Sequence, residues 1–170
     1  RNFARHQRQL AEVRFLGELR NANCVDTVAL FEVLYMLVFF GNHPNPLVIN
    51  AADPPDDCFR VRLVCELLDT CSAHLTRGAL RARLDRFLAY FQRYCFTKLQ
   101  VPQDVEFVLN DTFAVLPRVT RMQSFEEAHA ACVVIEERER SVSHGHAAQS
   151  DRTSDDVGSQ AAPNGNAYSP

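Results

Sequence analysis

An all-α fold, a short α-solenoid of stacked antiparallel helical hairpins with a disordered C-terminal tail, is what this sequence predicts. Three observations carry the prediction. Apolar residues recur at helical spacing in six successive segments, and none of them shows the two-residue alternation of a half-buried strand. The links between segments are short in all but one place, as between antiparallel neighbours. From about Ser141 large apolar residues nearly vanish, so residues 141–170 cannot offset the entropy of being ordered, and the core belongs to residues 1–140.

The first helix is expected over Gln7 to Arg20, with Leu10, Val13, Leu16 and Leu19, and Phe15 beside them, on one side. Asp26 can cap a second helix that runs to Phe40 and stops at Gly41, with Leu30, Phe31, Leu34, Leu37 and Val38 inward. A Pro-rich excursion from Asn42 to Asp57 follows, the one long connection. The third helix starts after Asp56 or Asp57 and carries Phe59, Leu63, Val64, Leu67, Leu68 and Cys71 along one stripe. The fourth, Leu80 to Lys98, repeats the pattern through Leu84, Phe87, Leu88, Phe91 and Cys95. The fifth begins near Pro102, a residue suited to a first helical turn, and ends before Pro117. The sixth opens with the capping box Ser124-Phe-Glu-Glu127 and is expected to stop near Arg140. No hairpin repeats another in sequence, so the solenoid rests on element lengths.

At 170 residues and a net charge of −3, the chain suits one domain and offers no bulk electrostatic case for nucleic acid. Lys98 is the only lysine, so positive charge is almost all arginine, which fits both flat bidentate contacts and a genomic codon bias. Six cysteines sit in apolar segments without a CxxC pair, and no signal peptide opens the chain; a reduced, intracellular, cytoplasmic protein is expected, perinuclear sites included. The best apolar run, Val28 to Phe40, is interrupted by Glu32, so no membrane partner is expected. Arg1 stands where Met would open a complete chain, which reads as a piece of a longer protein.

Several clusters invite a chemical reading. Cys58, Cys65 and Cys71 lack the ligand spacing of a zinc site, and Cys65 and Cys71 fall roughly 120° apart on a helix, so burial among Leu and Val is the stronger reading. Cys71 and His74 could touch, yet nothing nearby orients the imidazole, and a helix-end role for His74 is favoured. His144 and His146 belong to the tail composition. Asp53, Asp56 and Asp57 could do acid/base work, but the prolines between them and the helix start after them favour capping. Arg81, Arg83, Arg86 and Arg93 form a basic strip that could bind RNA or an acidic partner, against the plainer reading of a solvated face beside Asp85. No catalytic residue, no cofactor and no metal ligand is assigned, and no P-loop, dinucleotide or serine-nucleophile motif is present.

Three blocks carry a resemblance: Phe15 to Leu19 (FLGEL), Asp53 to Cys71 (DPPDDCFRVRLVCELLDTC) and Leu84 to Tyr94 (LDRFLAYFQRY). In that order they are similar to the third middle domain, of the initiation-factor 4G type, in the regulator of nonsense transcripts 2 family of nonsense-mediated mRNA decay. Leu109 to Leu116 and Ser124 to Ala128 match in character, and the resemblance covers most of residues 7–140. It implies a HEAT-like helical stack and a non-enzymatic adaptor. Its implied partners are a decay factor of the up-frameshift pathway that docks an RNA-recognition motif, the pathway helicase through other parts of the full protein, exon-junction complexes, and RNA. In the family further helices precede FLGEL and hold much of the acidic partner surface. An N-terminally truncated member is therefore expected, with Glu12 and Glu18 bordering what remains of that surface. The link from Tyr94 to Asp104 is short for the family, and Asp151, Asp155 and Asp156 stand for a longer acidic run.

Overall fold

A computed structural model describes residues 3–42 and 50–150, with side chains described as far as Val142. Among the described residues there are six helices and no strand: α1 Phe3–Asn21, α2 Thr27–Phe39, α3 Phe59–Leu75, α4 Ala79–Cys95, α5 Gln103–Val115 and α6 Phe125–Ser150. The chain divides into two units, Arg1–Val133 and Val134–Pro170. The first holds α1 to α5 and the opening of α6; the second continues α6.

Local chemistry sets the helix ends. Asn23 takes a left-handed φ of 57°, which lets the Cys24 N–H close back on the Leu19 carbonyl at 2.9 Å and finish α1. The Asp26 carboxylate accepts the Ala29 N–H at 2.7 Å and starts α2. Asp57 does the same work for α3 from one position further out, accepting the Phe59 N–H at 2.8 Å while Cys58 occupies the cap position. In the capping box of α6, Ser124 Oγ accepts the Glu127 N–H at 3.2 Å. The Glu127 carboxylate returns to the N–H of Gln123, one residue earlier than the motif predicts.

Within the first unit the helices form two layers. α1 packs on α3 and α3 on α5, while α2 packs on α4, and successive helices from α1 to α4 also touch as hairpins. The central helix α3 is buried on several sides, with Val61, Val64, Cys65, Leu67, Leu68 and Cys71 all at most 1% exposed. α1 approaches it through Gly17, the one buried residue of that helix. A Cβ at Gly17 would stand 2.7 Å from Thr70 Cγ2, closer than side chains approach.

Three expectations are corrected. Phe15 is 64% exposed rather than inward, because it lies about 160° around α1 from Gly17, the face that meets α3. α4 ends at Cys95, and the next residues turn so that Lys98 faces the interior instead of extending the helix. α6 continues to Ser150, ten residues beyond the expected stop at Arg140. Residues 151–170 lie outside the described part.

Candidate functional site

The Asp53-Pro-Pro segment is built as turns, since two prolines fix φ and remove two backbone donors. The Asp57 N–H bonds the Pro54 carbonyl at 3.0 Å, and the Leu99 N–H reaches the Pro55 carbonyl at 3.0 Å. These turns bury Asp53. Its Oδ1 accepts the Tyr94 hydroxyl at 3.0 Å and the Lys98 ammonium at 2.8 Å, and the Arg60 guanidinium lies 3.6 Å away. Lys98 also donates to the Pro54 carbonyl at 3.2 Å and sits 4.7 Å over the Tyr94 ring. Burial, reinforced by the Asp53 charge, pushes the Tyr94 hydroxyl well above its ordinary range, so it stays a donor. Asp56 and Asp57 are exposed, so the three aspartates are divided between interior and solvent and do not form a paired carboxylate centre. The Asp53 cluster ties the turn to the end of α4.

The buried thiols are packing groups, whereas Cys24 is exposed. Burial pushes Cys65 and Cys71 up to about 12, and Cys71 donates its thiol to the Leu67 carbonyl of its own helix at 2.9 Å, while His74 lies exposed. Cys95 is raised by burial first and by neighbouring Cys65 and Cys58 next. Among the described residues no group of three or more His, Cys, Asp or Glu side chains is arranged to hold a metal ion. The side chains of His144 and His146 lie outside the described part.

The arginines of α4 do not form one exposed strip. Arg81 pairs with Asp85 at 2.8 Å and donates to the carbonyls of Pro117 and Arg118. Arg93 is buried, with its guanidinium 5.2 Å over the Tyr90 ring. Arg83 and Arg86 are exposed, and Arg83 lies 5.0 Å over the Phe31 ring. Arg81 acts with Gln92, which donates to the Thr120 carbonyl at 3.2 Å and accepts the Met122 N–H at 2.8 Å. Together they clamp the α5–α6 link along α4.

On α1, Glu12 and Glu18 are both exposed; their six-residue spacing sets them roughly 120° apart. Glu12 pairs with Arg8 at 2.7 Å, and Glu18 accepts from Asn21 at 3.2 Å. Across the α1–α3–α5 layer, Arg14 approaches Glu66 at 3.6 Å, and Arg62 pairs with Asp104. Partial burial raises the Asp69 carboxyl, opposed by a hydrogen bond with Thr112 and supported by the nearby charges of Glu66 and Asp111. The layer therefore carries acids on all three helices.

The MIF4G domain family matches residues 2–116, from the start of α1 to the end of α5. The chain belongs to the MIF4G family. Among curated proteins this MIF4G domain is similar to the regulator of nonsense transcripts UPF2 of Arabidopsis thaliana, 42% identical over 153 residues, which is 89% of this chain and 12% of that protein. It is 38% identical over 133 residues to regulator of nonsense transcripts 2 of Homo sapiens, covering 72% of the chain and 10% of the relative. It is 29% identical over 131 residues to the nonsense-mediated mRNA decay protein 2 of Saccharomyces cerevisiae, covering 75% of the chain and 12% of the relative. The chain thus spans about one-eighth or less of the length of these relatives.

Sequence reasoning missed the Asp53–Lys98 pair and the Arg81–Gln92 clamp, since both join residues far apart in the MIF4G domain. The one available signal was the single lysine, Lys98, in an otherwise arginine-based chain.

Proposed function

We propose that this MIF4G domain is a non-enzymatic scaffold of nonsense-mediated mRNA decay, the third such domain of a regulator of nonsense transcripts. It binds the RNA-recognition motif of a partner decay factor and bridges it to the decay helicase, which engages other parts of the full protein. The similarity to regulators of nonsense transcripts, over 72% to 89% of the chain, is the observation that carries this reading. Glu18, Asp69 and Asp111, acids of the α1–α3–α5 layer that stand outside its arginine pairs, support a contact with a basic motif, with Glu12 and Glu18 at its α1 edge. A cytoplasmic site of action, perinuclear sites included, goes with that role. The test is retention of the recombinant RNA-recognition motif by the immobilised domain, extended upstream through the helices that the resemblance implies: salt-sensitive retention is expected, and none by folded extended protein overturns the reading.

A second reading, an RNA-binding helical repeat, draws on Arg83 and Arg86, the two strip residues exposed on α4. It predicts binding to single-stranded RNA that weakens steeply with salt and falls when both become Glu.

A further inference from the structure

We propose that a groove formed by α1, the end of α2 and the start of α3 docks a protein segment that sets a large apolar side chain beside a carboxylate. The groove has a volume of about 550 Å³ and lies within the first unit. That volume suits one or two large side chains and falls in the range of binding pockets. Met36, Leu37, Phe40, Phe59 and Leu63 give its lining an apolar character, and Met36 and Phe40 are 57% and 65% exposed. Exposed Met and aromatic side chains beside arginine are the composition of interface cores.

The polar groups of the lining decide the occupant's charge. Arg60 is spent: it donates to the carbonyls of Leu37, Phe40 and Ala52 and lies against Asp53. Asp57 is engaged by the Phe59 N–H, and the His6 ring stacks on Phe59 with centroids 3.9 Å apart. Arg5 and Gln9 line the groove from neighbouring turns of α1, and neither has a hydrogen bond or ion pair with another described residue. Guanidinium groups only donate, so Arg5 calls for an acceptor with negative charge. A nucleic acid fits less well, because one uncommitted cation beside Asp57 cannot replace the several phosphate contacts a polyanion uses. The site goes beyond the RNA-recognition-motif reading, which draws on the acids of the α1–α3–α5 layer.

The test uses the 170-residue chain and a fluorescein-labelled peptide in which phenylalanine alternates with glutamate, read by fluorescence anisotropy. Saturable binding is expected, weakened at least about tenfold (~1.4 kcal/mol) by Arg5→Glu and by Met36→Asp, both exposed positions. Matching thermal melts of the variants separate lost binding from lost folding. A peptide with glutamine for glutamate, and one with serine for phenylalanine, should each bind more weakly. The proposal is overturned by absent binding, by equal binding of all three peptides, or by stronger binding of oligouridylate. It is also overturned if binding appears only when Leu47, Val48 and Ile49 become Ser, which would give the groove to the chain's own segment. Arg5→Glu leaves Glu12 and Glu18 in place, so the two readings fail separately.

Discussion

Lys98 reaches back 45 residues to Asp53, Nζ to Oδ1 at 2.8 Å, with both side chains at most 4% exposed. A buried pair of this kind contributes little over an apolar replacement, but breaking it strands a charge. Asp53→Ala should therefore destabilise the domain by about 3–5 kcal/mol in urea unfolding. Adding Lys98→Met should recover much of that loss, and the double-mutant cycle measures the coupling. Equal losses in the single and double variants would contradict the pairing.

Gly17 sets the closeness of α1 and α3. Alanine favours a helix interior by roughly 1 kcal/mol over glycine, yet here its Cβ meets Thr70 Cγ2 at 2.7 Å and Thr70 Cβ at 2.8 Å. Gly17→Ala should lower stability by about 1–3 kcal/mol as overpacking outweighs propensity. A gain in melting temperature would show that the helices are not so close.

The buried thiols make an alkaline prediction. Cys65 and Cys71, ordinarily near 9.0, are pushed by burial to about 12. Between those values the unfolded chain loses thiol protons that the folded chain keeps, so stability falls as pH rises above about 9. The contribution is fully present below pH 9 and is lost progressively towards pH 12. Each thiol adds a slope of up to about 1.4 kcal/mol per pH unit, and the Cys65→Ala, Cys71→Ala variant should show a flatter decline in the same window. Native labelling at pH 8 should modify exposed Cys24 and spare both until denaturant is added.

The Gln92 side-chain amide holds the backbone of the α5–α6 link by two hydrogen bonds. Gln92→Ala should cost about 1–3 kcal/mol and speed hydrogen exchange at the Met122 amide. Unchanged exchange there would remove the clamp.

Local chemistry made much of the fold legible. Asp26 and Ser124 announced helix starts because capping is decided within three residues, and the stripe from Leu63 to Cys71 announced α3 because burial follows the helical period. Phe15 misled because a period defines faces but not which face meets a neighbour; the glycine two residues on decided it. Asp53 read as a cap because its partners, Tyr94 and Lys98, lie more than 40 residues away. Arg93 read as surface because helical spacing groups it with Arg86, yet in the fold it is buried with its guanidinium over the Tyr90 ring one turn away. The end of α6 was misjudged because small polar residues argue against a packed core, whereas Ala147, Ala148 and Gln149 remain good helix formers.

The proposed adaptor role stands or falls on isothermal titration calorimetry between the RNA-recognition motif of the partner decay factor and the domain extended upstream through the helices that the resemblance implies. Saturable one-to-one binding is expected, weakening with salt and dropping severalfold when Glu12 and Glu18 become Arg. No binding heat from protein shown to be folded, or binding indifferent to both charge reversal and salt, would contradict it.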